Sequence, residues 1–457
     1  MNKYPSEIFK AYDIRGIVDQ ALTEEVICDI GKVLGTMAKA AQVKGIVVGY
    51  DGRLSSPRLA KNLINGILSA GCDVYDIGEV ATPMVYFANY ELETYSGIMI
   101  TGSHNPPQYN GLKMVLNGST LFGEQIQQIL QDLENKNYQD GFDSATCHKV
   151  DINAKYLERI TSDVKLSRKV KLIVDCGNGV AGKIAPQLYK ALGAEIKEMF
   201  CEVDGNFPNH HPDPSDPKNL KDLIQALDNS EFEIGFAFDG DGDRLGVVTT
   251  DGNIIYPDRQ LMLFSKEVLK DNPGAKIIYD VKSSGLLNSW ITDHGGVPVM
   301  CKTGHSFIKQ EIKQTKAKLA GEMSGHVFFN DRWYGFDDGI YAGARLLEIL
   351  SKSDNPSKLL NDLPCRISTP EINIKVTEGT QHQIIETLKQ NAKFSGSQEV
   401  ITLDGLRVEY PHGFGLVRAS NTTPVLVLRF EATTDQGLNE IMGQFKQVLK
   451  SCVNIDM

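Results

Sequence analysis

The sequence lacks several features that mark specialised classes of protein. Its eight cysteines are scattered and form no CxxC pair, which argues against a disulfide framework or a zinc site. No apolar run is as long as a membrane span, and the first residues contain no apolar leader segment. Positive charge is in deficit, because the formal net charge is -11, and this argues against general nucleic-acid binding. We therefore expect a cytoplasmic protein with neither a membrane nor a nucleic-acid partner.

What the sequence contains is an ordinary globular composition, in a chain too long for one hydrophobic core. Of its 457 residues, 41% are hydrophobic and 23% are charged. Chains of this length usually divide, so we expect two to four domains. Small phosphorylated ligands remain compatible with the acidic composition, since a few Arg and Lys side chains can form a local positive pocket.

One pattern of elements occurs three times along the chain. An apolar, β-branched run ends in an acidic residue and a loop rich in Gly or Ser, and a helical segment and a second apolar strand follow. The three acidic residues are Asp51, Asp175 and Asp280. A strand, a helix and a strand in this order indicate parallel sheets. The copies are too widely spaced for a solenoid, so they predict three related α/β domains.

The C-terminal part follows a different pattern. Strand-like segments come close together there, with one helical segment among them and another at the end. The strand-like segments are 369–376, 406–410, 413–420 and 425–432. Strands without helical crossovers favour an antiparallel sheet, hence a fourth, α+β domain. The predicted fold is three related mixed α/β domains and a C-terminal α+β domain, with boundaries at 1–153, 154–256, 257–367 and 368–457.

Ser103 is the candidate nucleophile. It follows an apolar run in SGIMITGSHNPPQYNGLK, and Pro106 and Pro107 keep the segment from becoming helical. A serine hydroxyl on a stiff loop suits covalent catalysis, although a capping serine is the commoner reason for such a position. His104 beside it does not by itself indicate a hydrolase, because no GxSxG elbow occurs. Lys113 follows closely enough to act as a base or a phosphate ligand.

Asp239, Asp241 and Asp243 form the candidate metal site. They occur in FDGDGDR, between the apolar runs EIGFAF and LGVVTT. In an extended loop alternate residues face one side, and the intervening glycines permit tight curvature, so the three carboxylates are expected to converge. Hard oxygen ligands favour Mg²⁺ or Ca²⁺ over zinc. Arg244, which follows at once, is well placed to bind a phosphate near the metal.

Two further loops carry polar groups that suit a sugar phosphate. GEMSGH supplies Glu322 and Ser324, which can hydrogen-bond to vicinal hydroxyls, and His326, a candidate acid or base. RASNTTP supplies donors for a dianionic phosphate, namely Arg418, Ser420, Asn421 and Thr422. Lys282 in DVKSS and His305 in KTGHS are weaker candidates of the same kind. Each segment taken singly is also compatible with an ordinary polar turn.

A competing signal is GNGVAG at 177–182, which follows a strand and precedes a helix. It satisfies the GxGxxG pattern of dinucleotide-binding loops. The pattern is short and common, however, and the other two copies of the repeat lack it. An NAD-dependent dehydrogenase is therefore a weaker alternative.

Together the motifs closely resemble the α-D-phosphohexomutase family. The resemblance runs from YDIRG (Tyr12 to Gly16) through TGSHNP, DGDGDR and GEMSGH to RASNTTP, and covers essentially the whole chain. GEMSGH together with KTGHS is most similar to the bacterial phosphomannomutase/phosphoglucomutase members. The resemblance implies domains around a central cleft, and an isomerase that interconverts hexose 1-phosphate and hexose 6-phosphate of mannose, glucose or both.

The resemblance also implies a role for each candidate residue. The implied metal ligands, around Mg²⁺, are Ser103 (through its phosphate), Asp239, Asp241 and Asp243. The implied catalytic residues are Ser103, Lys113, Arg15, Arg244 and His326. The implied substrate-binding residues are Tyr12, Lys282, His305, Glu322, Ser324, Arg418, Ser420, Asn421 and Thr422.

The implied reaction passes through a hexose 1,6-bisphosphate, which also serves as activator. One nucleophile serves both ends of the sugar, so the bisphosphate must turn over within the cleft. Hydrogen bonds to the 3- and 4-hydroxyls suit a half-turn of the bisphosphate, because such a rotation roughly exchanges these two hydroxyls. A site without contacts to the 2-hydroxyl would bind mannose and glucose nearly equally, since the two sugars differ only there. Sugar phosphates are the expected partners, and a monomer is the expected state, with oligomers left open.

Three other functions remain open at this point. One is a metal-dependent sugar phosphatase that uses the same phosphoserine, and another is a glucosamine-phosphate mutase. The third is a sugar-phosphate sensor that retained the fold. A sensor would need a damaged nucleophile or metal loop, and both are intact in this sequence.

Overall fold

The structure of the chain is a computed structural model. It describes residues 3–142, 144–377, 379–421 and 423–450. Packing divides the chain into two compact units. The first contains the chain up to Gln260 together with Ser324–Asp362, and the second contains Leu261–Met323 together with the chain from Leu363 onward. Among the described residues, no helix is long and apolar enough to cross a membrane.

The first unit begins with a mixed sheet that carries the candidate nucleophile. Its strands are β1 (Ile14–Ile17), β2 (Ile46–Tyr50), β3 (Val74–Glu79), β4 (Gly97–Ile100), β5 (Tyr109–Leu116), β6 (Ser119–Thr120) and β7 (Cys147–Lys149). They are ordered β1-β5-β4-β2-β3-β7, and β6 pairs with β5. The helices of this part are α1 (Glu24–Ala40), α2 (Ser56–Ser69), α3 (Thr82–Glu91) and α4 (Glu124–Glu134). Apolar faces of α1, α2 and α4 pack on the sheet and form one core with it.

A second, smaller sheet in the same unit carries the three aspartates. Its strands are β8 (Lys171–Asp175), β9 (Glu195–Met199), β10 (Ile234–Phe238) and β11 (Leu245–Thr249). They are ordered β11-β10-β8-β9. The helices around it are α5 (Asn153–Asp163), α6 (Ala185–Ala191) and α7 (Lys221–Leu227).

The next part of the chain contains three parallel strands of the second unit, ordered β13-β12-β14. These strands are β12 (Lys276–Asp280), β13 (Val297–Cys301) and β14 (Leu319–Gly321). The helices that accompany them are α8 (Pro257–Asp271), α9 (Leu286–Asp293) and α10 (His305–Thr315). The elements that follow belong to the first unit, and they are β15 (Val327–Phe329), α11 (Gly339–Leu350) and α12 (Pro356–Asn361).

The expectation of parallel sheets is correct for β12, β13 and β14 and incomplete for the first two sheets. There β5 is antiparallel to β4, and β11 is antiparallel to β10. The loops that join each pair are too short for a helical crossover, so the chain can only reverse. These two reversals contain Ser103 and the three aspartates, at the carboxyl ends of β4 and β10.

The three acidic residues of the sequence repeat hold equivalent positions. Each lies where a central parallel strand ends, at β2, β8 or β12, and each carboxylate accepts a hydrogen bond from the loop that follows. The pairs are Arg53 N–H to Asp51 at 3.1 Å, Gly177 N–H to Asp175 at 2.9 Å, and the Ser283 hydroxyl to Asp280 at 2.7 Å. In all three α/β domains the strand-end carboxylate thus holds the start of the following loop, through a backbone N–H in the first two and through a serine hydroxyl in the third.

The C-terminal part of the second unit is an antiparallel sheet with two helices. Its strands are β16 (Ile367–Ser368), β17 (Ile372–Lys375), β18 (Glu399–Ile401), β19 (Leu406–Tyr410), β20 (Gly413–Ala419) and β21 (Val425–Ala432). The helices are α13 (Gln381–Asn391) and α14 (Asp435–Lys450), and both pack on the sheet around one apolar core. The prediction of three α/β domains and an α+β domain is therefore confirmed. The short edge strands β16 and β18 were not predicted.

Candidate active site

Ser103 lies in the loop between β4 and β5, and its φ is +48°. A left-handed conformation costs a residue other than glycine about 1 kcal/mol or more, so surrounding contacts must hold it. The Ser103 N–H donates to Thr101 Oγ1 at 2.7 Å, and the Ser103 carbonyl accepts from Arg53 Nη2 at 2.8 Å. These bonds hold the peptide groups on both sides of Ser103 and so fix the direction of its side chain.

The Ser103 hydroxyl is buried and faces the acidic turn. Its Oγ lies 3.2 Å from Asp239 Oδ2 and 3.2 Å from His104 Nδ1. Burial lowers the pKa of His104 well below its ordinary value, and the positive charges of Arg244 and Arg15 act in the same direction. The imidazole is therefore neutral near neutral pH. The hydroxyl thus lies between a carboxylate and a neutral ring.

The three aspartates occupy a tight turn between β10 and β11. Gly242 has φ of +76°, which glycine adopts without strain, and the chain reverses there. The predicted extended loop is wrong, because Asp239 bends the segment by accepting from Gly242 N–H at 3.1 Å and Arg244 N–H at 3.2 Å. One carboxylate oxygen each of Asp239, Asp241 and Asp243 nevertheless lies within 4.8 Å of the others, and all three residues are buried. We call this segment the aspartate turn.

Lys113, on β5, forms two buried ion pairs with the aspartate turn. Its Nζ lies 2.7 Å from Asp241 Oδ2 and 2.5 Å from Asp243 Oδ2. Burial acts to lower the pKa of Lys113, but the charges of Asp241 and Asp243 outweigh burial and raise it above its ordinary value. Burial likewise acts to raise the pKa of Asp243, and the charge of Lys113 holds it well below the ordinary value. Lys113 is therefore an ammonium ion that offsets the aspartate charges.

The aspartate turn has the oxygen donors that a hard divalent cation requires. Asp241 Oδ1 is buried and accepts no hydrogen bond from the described residues. Burial raises the pKa of Asp239 well above its ordinary value, and repulsion from Asp243 and Asp241 adds to the shift. A cation shared by the three carboxylates would relieve this repulsion. The residues present therefore fit Mg²⁺, with the Ser103 hydroxyl within reach of the same position.

Arg244 and His326 flank the aspartate turn. Arg244 Nε lies 3.5 Å from Asp239 Oδ2 and donates to His326 Nε2 at 3.4 Å. The same His326 nitrogen is 3.3 Å from Asp243 Oδ1, and His326 Nδ1 is 2.8 Å from Ser324 Oγ. Ser324 therefore orients the ring of His326, and His326 faces the metal-ligand candidates.

Arg15 contacts the nucleophile loop rather than the serine itself. It lies on β1, opposite Gly111 of β5. Its Nη1 donates to Asn105 Oδ1 at 2.5 Å, and its Nη2 donates to Asp13 Oδ2 at 2.5 Å. Tyr12, which precedes this strand, is partly buried in the same segment.

In the second unit, Glu322 is bound to the loop that contains His305. The Glu322 carboxylate accepts the N–H of Gly304, whose φ of +133° is accessible to glycine. The buried His305 follows as the first residue of α10. Thr303 in the same loop donates through its hydroxyl to Asp280 Oδ2 at 2.9 Å. The strand-end aspartate and Glu322 together hold this loop.

Two cationic candidates of the second unit are paired with acidic residues. Lys282 Nζ lies 2.6 Å from Glu371 Oε1, and the charge of Lys282 lowers the pKa of Glu371. Arg418 Nε donates to Asp404 Oδ2 at 2.9 Å, and the N–H of Thr303 donates to the same oxygen at 3.1 Å. Asp404 therefore connects the candidate phosphate-binding arginine to the loop before His305.

The other members of the predicted phosphate cluster follow β20. Ser420 Oγ lies 3.0 Å from Thr423 Oγ1, and Thr423 N–H donates to Ser420 Oγ at 3.2 Å. Asn421 is partly buried in the same turn. Thr422, which was also predicted to bind phosphate, lies outside the described residues.

The structure groups the predicted residues by unit. The first unit contains Tyr12, Arg15, Ser103, Lys113, Asp239, Asp241, Asp243, Arg244, Ser324 and His326. The second contains Lys282, His305, Glu322, Arg418, Ser420 and Asn421. Sequence reasoning missed two residues that contact the candidate site. Arg53 donates to the Ser103 carbonyl, and the Thr82 hydroxyl donates to Asp241 Oδ2 at 2.5 Å. Thr82 begins α3 in an unremarkable TP pair, and nothing in the sequence connects it with an aspartate so far along the chain.

The GNGVAG segment contacts the aspartate turn. Its last three residues begin a short 3-10 helix, Val180–Lys183, and the Val180 N–H donates to the Gly240 carbonyl at 3.2 Å. A Cβ atom on Gly179 would lie 2.9 Å from that carbonyl oxygen, so glycine permits the close approach. The segment therefore supports the turn between β10 and β11.

Comparison with known proteins covers nearly the whole chain. The descriptions that match are those of phosphoglucomutase/phosphomannomutase: alpha/beta/alpha domain I at 6–140, domain II at 154–252, domain III at 256–366 and the C-terminal domain at 371–448. A phosphoglucomutase of Neisseria meningitidis is 57% identical over 450 residues, 98% of each chain. A phosphomannomutase/phosphoglucomutase of Pseudomonas aeruginosa is 54% identical over 98% of this chain and 96% of that one.

A solved structure gives the same result. The crystal structure of a phosphoglucomutase/phosphomannomutase family protein from Burkholderia thailandensis matches with a TM-score of 0.94 at 53% identity, over 98% of both chains. The fold and these relatives define an enzyme of the isomerase class, a phosphomutase. The chain belongs to the phosphoglucomutase/phosphomannomutase family. The resemblance found in its motifs is confirmed, and the dehydrogenase alternative does not apply.

Proposed function

We propose that the chain interconverts hexose 1-phosphates and hexose 6-phosphates, of glucose, mannose or both, through a phosphoserine at Ser103. The observation that carries the proposal is the 3.2 Å approach of the buried Ser103 hydroxyl to Asp239. The relatives named phosphoglucomutase and phosphomannomutase/phosphoglucomutase support both sugars as substrates. We further propose a cytoplasmic monomer.

Asp239, Asp241 and Asp243 would hold Mg²⁺ together with one oxygen of the phosphoserine. Bound Mg²⁺ supplies Lewis-acid stabilisation of charge on phosphoryl oxygens. Arg244, whose Nε lies 3.5 Å from Asp239, adds a fixed positive charge on the same side. Burial of Ser103 and the three aspartates strengthens these interactions, because little solvent screens them.

The first phosphoryl transfer breaks the bond between phosphorus and Ser103 Oγ and forms a bond from phosphorus to a sugar oxygen. The second transfer breaks the phosphorus–oxygen bond at the other end of the sugar and forms the bond to Ser103 Oγ again, and the sugar oxygen that is released takes up a proton. The sugar hydroxyl loses its proton to a nearby base, and Lys113 and His326 are the groups we propose. Lys113 is an ammonium ion because the charges of Asp241 and Asp243 stabilise its protonated form, so Lys113 must lose a proton before it can accept the proton of the sugar hydroxyl. Arg15 binds the transferring phosphoryl group from the side of the nucleophile loop.

The sugar and its second phosphate are bound by the remaining candidates. Glu322 and Ser324 bind the 3- and 4-hydroxyls, since a carboxylate accepts and a hydroxyl both donates and accepts. The non-reacting phosphate is bound by Arg418, Ser420, Asn421 and Thr422. Asp404 accepts a hydrogen bond from Arg418 Nε, so a fixed carboxylate orients the guanidinium that we propose binds the phosphate. Lys282, His305 and Tyr12 contact the sugar.

A 1,6-bisphosphate formed by the first transfer turns over while it stays bound, and its other phosphate returns to Ser103. Water must be excluded meanwhile, because it would hydrolyse the phosphoserine. Hexose 1,6-bisphosphate therefore also serves as the activator that recharges the enzyme.

The test is to incubate the purified protein with Mg²⁺, a trace of hexose 1,6-bisphosphate, and glucose 1-phosphate or mannose 1-phosphate in turn. The proposal predicts that hexose 6-phosphate forms with no matching release of inorganic phosphate. ³¹P NMR measures both products. Inorganic phosphate released at the rate of substrate loss would contradict it and indicate a phosphatase. Turnover of glucosamine phosphate in clear preference to both sugars would contradict the proposed substrates.

A further inference from the structure

A single buried guanidinium binds the backbone of the nucleophile loop. Arg53, which precedes α2, is 1% exposed. Its Nη1 donates to the carbonyl oxygens of Pro106 at 2.7 Å and Tyr109 at 3.1 Å. Its Nη2 donates to those of Ser103 at 2.8 Å and Asn105 at 2.6 Å. One cation therefore holds four carbonyl groups of the loop that contains the nucleophile.

The remaining guanidinium donor connects this loop to Asp51. Arg53 Nε donates to Asp51 Oδ2 at 3.1 Å. The Thr101 hydroxyl and the Gly102 N–H donate to the same oxygen at 2.8 Å and 3.2 Å. Thr101 Oγ1 in turn accepts the Ser103 N–H at 2.7 Å. The N–H of Ser103 is thus bound to Asp51 through Thr101, and its carbonyl is bound directly to Arg53.

Packing around the guanidinium is tight. A Cβ atom on Gly102 would lie 2.5 Å from Arg53 Nε, so the loop backbone lies directly against the guanidinium plane. The Phe207 ring centroid is 5.1 Å from Arg53 Cζ. Phe207 belongs to the segment whose Pro212 carbonyl accepts the N–H of Gly240 at 3.2 Å, in the aspartate turn. The guanidinium therefore lies between the nucleophile loop and the segment that contacts the aspartate turn.

We propose that Arg53 is a positioning residue for phosphoryl transfer. It holds Ser103 in the left-handed conformation that directs Oγ towards Asp239. The inference rests on the proposed function, because it requires Ser103 to carry the phosphoryl group. With both flanking peptide groups bound, the backbone rotation that would carry the hydroxyl away is blocked. Arg53 contacts the loop backbone and Asp51 and is assigned no sugar contact, so its loss should slow transfer without weakening substrate binding.

The test compares Arg53→Lys with the matched control Arg58→Lys. Lysine keeps the charge, but its compact ammonium cannot reach four carbonyl oxygens in a planar fork. Arg58, on α2, forms exposed ion pairs with Asp19 and Glu24. We expect Arg53→Lys to lower kcat by roughly 100-fold, as misplacement of a reacting group by about 1 Å does, with KM changed by less than about threefold. Arg58→Lys should match the wild type.

A direct readout is the rate at which Ser103 takes phosphate from hexose 1,6-bisphosphate, followed by intact mass spectrometry. A role in stability alone would lower the melting temperature without slowing this step in the folded protein. Labelling of Arg53→Lys should slow by the same factor as kcat. Labelling and kcat at wild-type rates would overturn the inference.

A second variant covers the case in which Arg53→Lys does not fold. Thr101→Val keeps the shape of the side chain and removes the acceptor of the Ser103 N–H, so it loosens the same conformation from the other side. It should slow Ser103 labelling by about 10-fold or more, the loss expected when one oriented contact disappears. A folded Thr101→Val that takes phosphate at the wild-type rate would overturn the inference.

These outcomes are distinct from failure of the proposed function. A wild-type protein that takes no phosphate at Ser103 contradicts the phosphoserine route, and the inference falls with it. A wild type that is labelled normally, beside an Arg53→Lys variant labelled equally fast, contradicts the inference alone.

Discussion

Ser103 and Asp239 are 136 residues apart in the chain, yet the serine Oγ lies 3.2 Å from the Asp239 carboxylate. Each belongs to a short loop that follows a parallel strand and reverses into an antiparallel one. The candidate nucleophile and the candidate metal ligands are thus carried by equivalent positions of two different sheets. Rigid strands on both sides of each loop fix the geometry that phosphoryl transfer requires.

Replacing Ser103 removes the nucleophile, so kcat should fall by roughly 10³-fold or more. Ser103→Gly is a sharper test than Ser103→Ala, because glycine adopts the observed φ of +48° without strain. We expect Ser103→Gly to be more stable than Ser103→Ala by about 1 kcal/mol in urea unfolding. Wild-type turnover in either folded variant would refute the covalent route.

Asp241→Asn changes one carboxylate of the aspartate turn with almost no change of shape. Because an uncharged amide is a poor ligand beside two carboxylates, Mg²⁺ affinity should fall by at least about 10-fold. Isothermal titration calorimetry measures the affinity, and the exposed Asp251→Asn serves as control. An unchanged Mg²⁺ affinity in Asp241→Asn would place the metal elsewhere.

Lys113→Met leaves two buried carboxylates without their ammonium partner. In metal-free buffer the free energy of unfolding should fall by about 3–5 kcal/mol, as for other broken buried ion pairs. Saturating Mg²⁺ should reduce the loss, since the cation supplies the missing charge. The control is Lys155→Met, whose exposed pair with Glu91 spans 3.9 Å and should contribute little. An equal loss with EDTA and with Mg²⁺, in urea unfolding, would show that the metal does not share these carboxylates.

Arg418→Ala should act on substrate binding. A hydrogen bond to a charged group contributes about 1.5–3 kcal/mol, so KM should rise by roughly 10- to 150-fold. The change in kcat should be small, because the non-reacting phosphate is bound alike in ground and transition states. Steady-state kinetics separates the two constants. A loss of kcat at constant KM would assign Arg418 to the transition state instead.

His210 makes stability depend on pH. Its Nε2 lies 3.0 Å from Asp175 Oδ2. Burial acts to lower the pKa of His210, but the hydrogen bond and charge of Asp175 outweigh burial and raise this pKa above its ordinary value of 6.5. A pKa raised by folding adds stability that is complete below the ordinary value and is lost as pH rises through the raised one. From about pH 6 to pH 8 the melting temperature of His210→Gln should therefore change less than that of the wild type. Identical pH dependence in thermal unfolding would contradict the pairing.

The sequence predicted much of the candidate site because its motifs are local. FDGDGDR places three carboxylates within five residues, so any tight conformation brings them together. Ser103, His326 and Arg418 likewise stand in short polar segments between apolar strands. The repeated acids Asp51, Asp175 and Asp280 predicted the three α/β domains, and each occupies the predicted strand end.

What the sequence did not predict depends on contacts between distant segments. The pairing of Lys113 with Asp241 joins residues 128 positions apart, and the contacts of Arg53 with the nucleophile loop span 50 to 56 positions. The bonds of Arg53 are to backbone carbonyls, which leave no signal in side-chain patterns. Antiparallel pairing after β4 and β10 was missed for a different reason. The hydrophobic pattern of a strand does not show whether the strand runs parallel or antiparallel to its neighbour.

The account depends on Ser103 passing a phosphoryl group to and from the sugar, and intact mass spectrometry with peptide mapping tests this directly. Protein charged with hexose 1,6-bisphosphate and Mg²⁺ should carry one phosphoryl group, located on Ser103. Adding a hexose monophosphate should remove this group and yield an equal amount of bisphosphate. A phosphoryl group on another residue, or one released only as inorganic phosphate, would contradict the account.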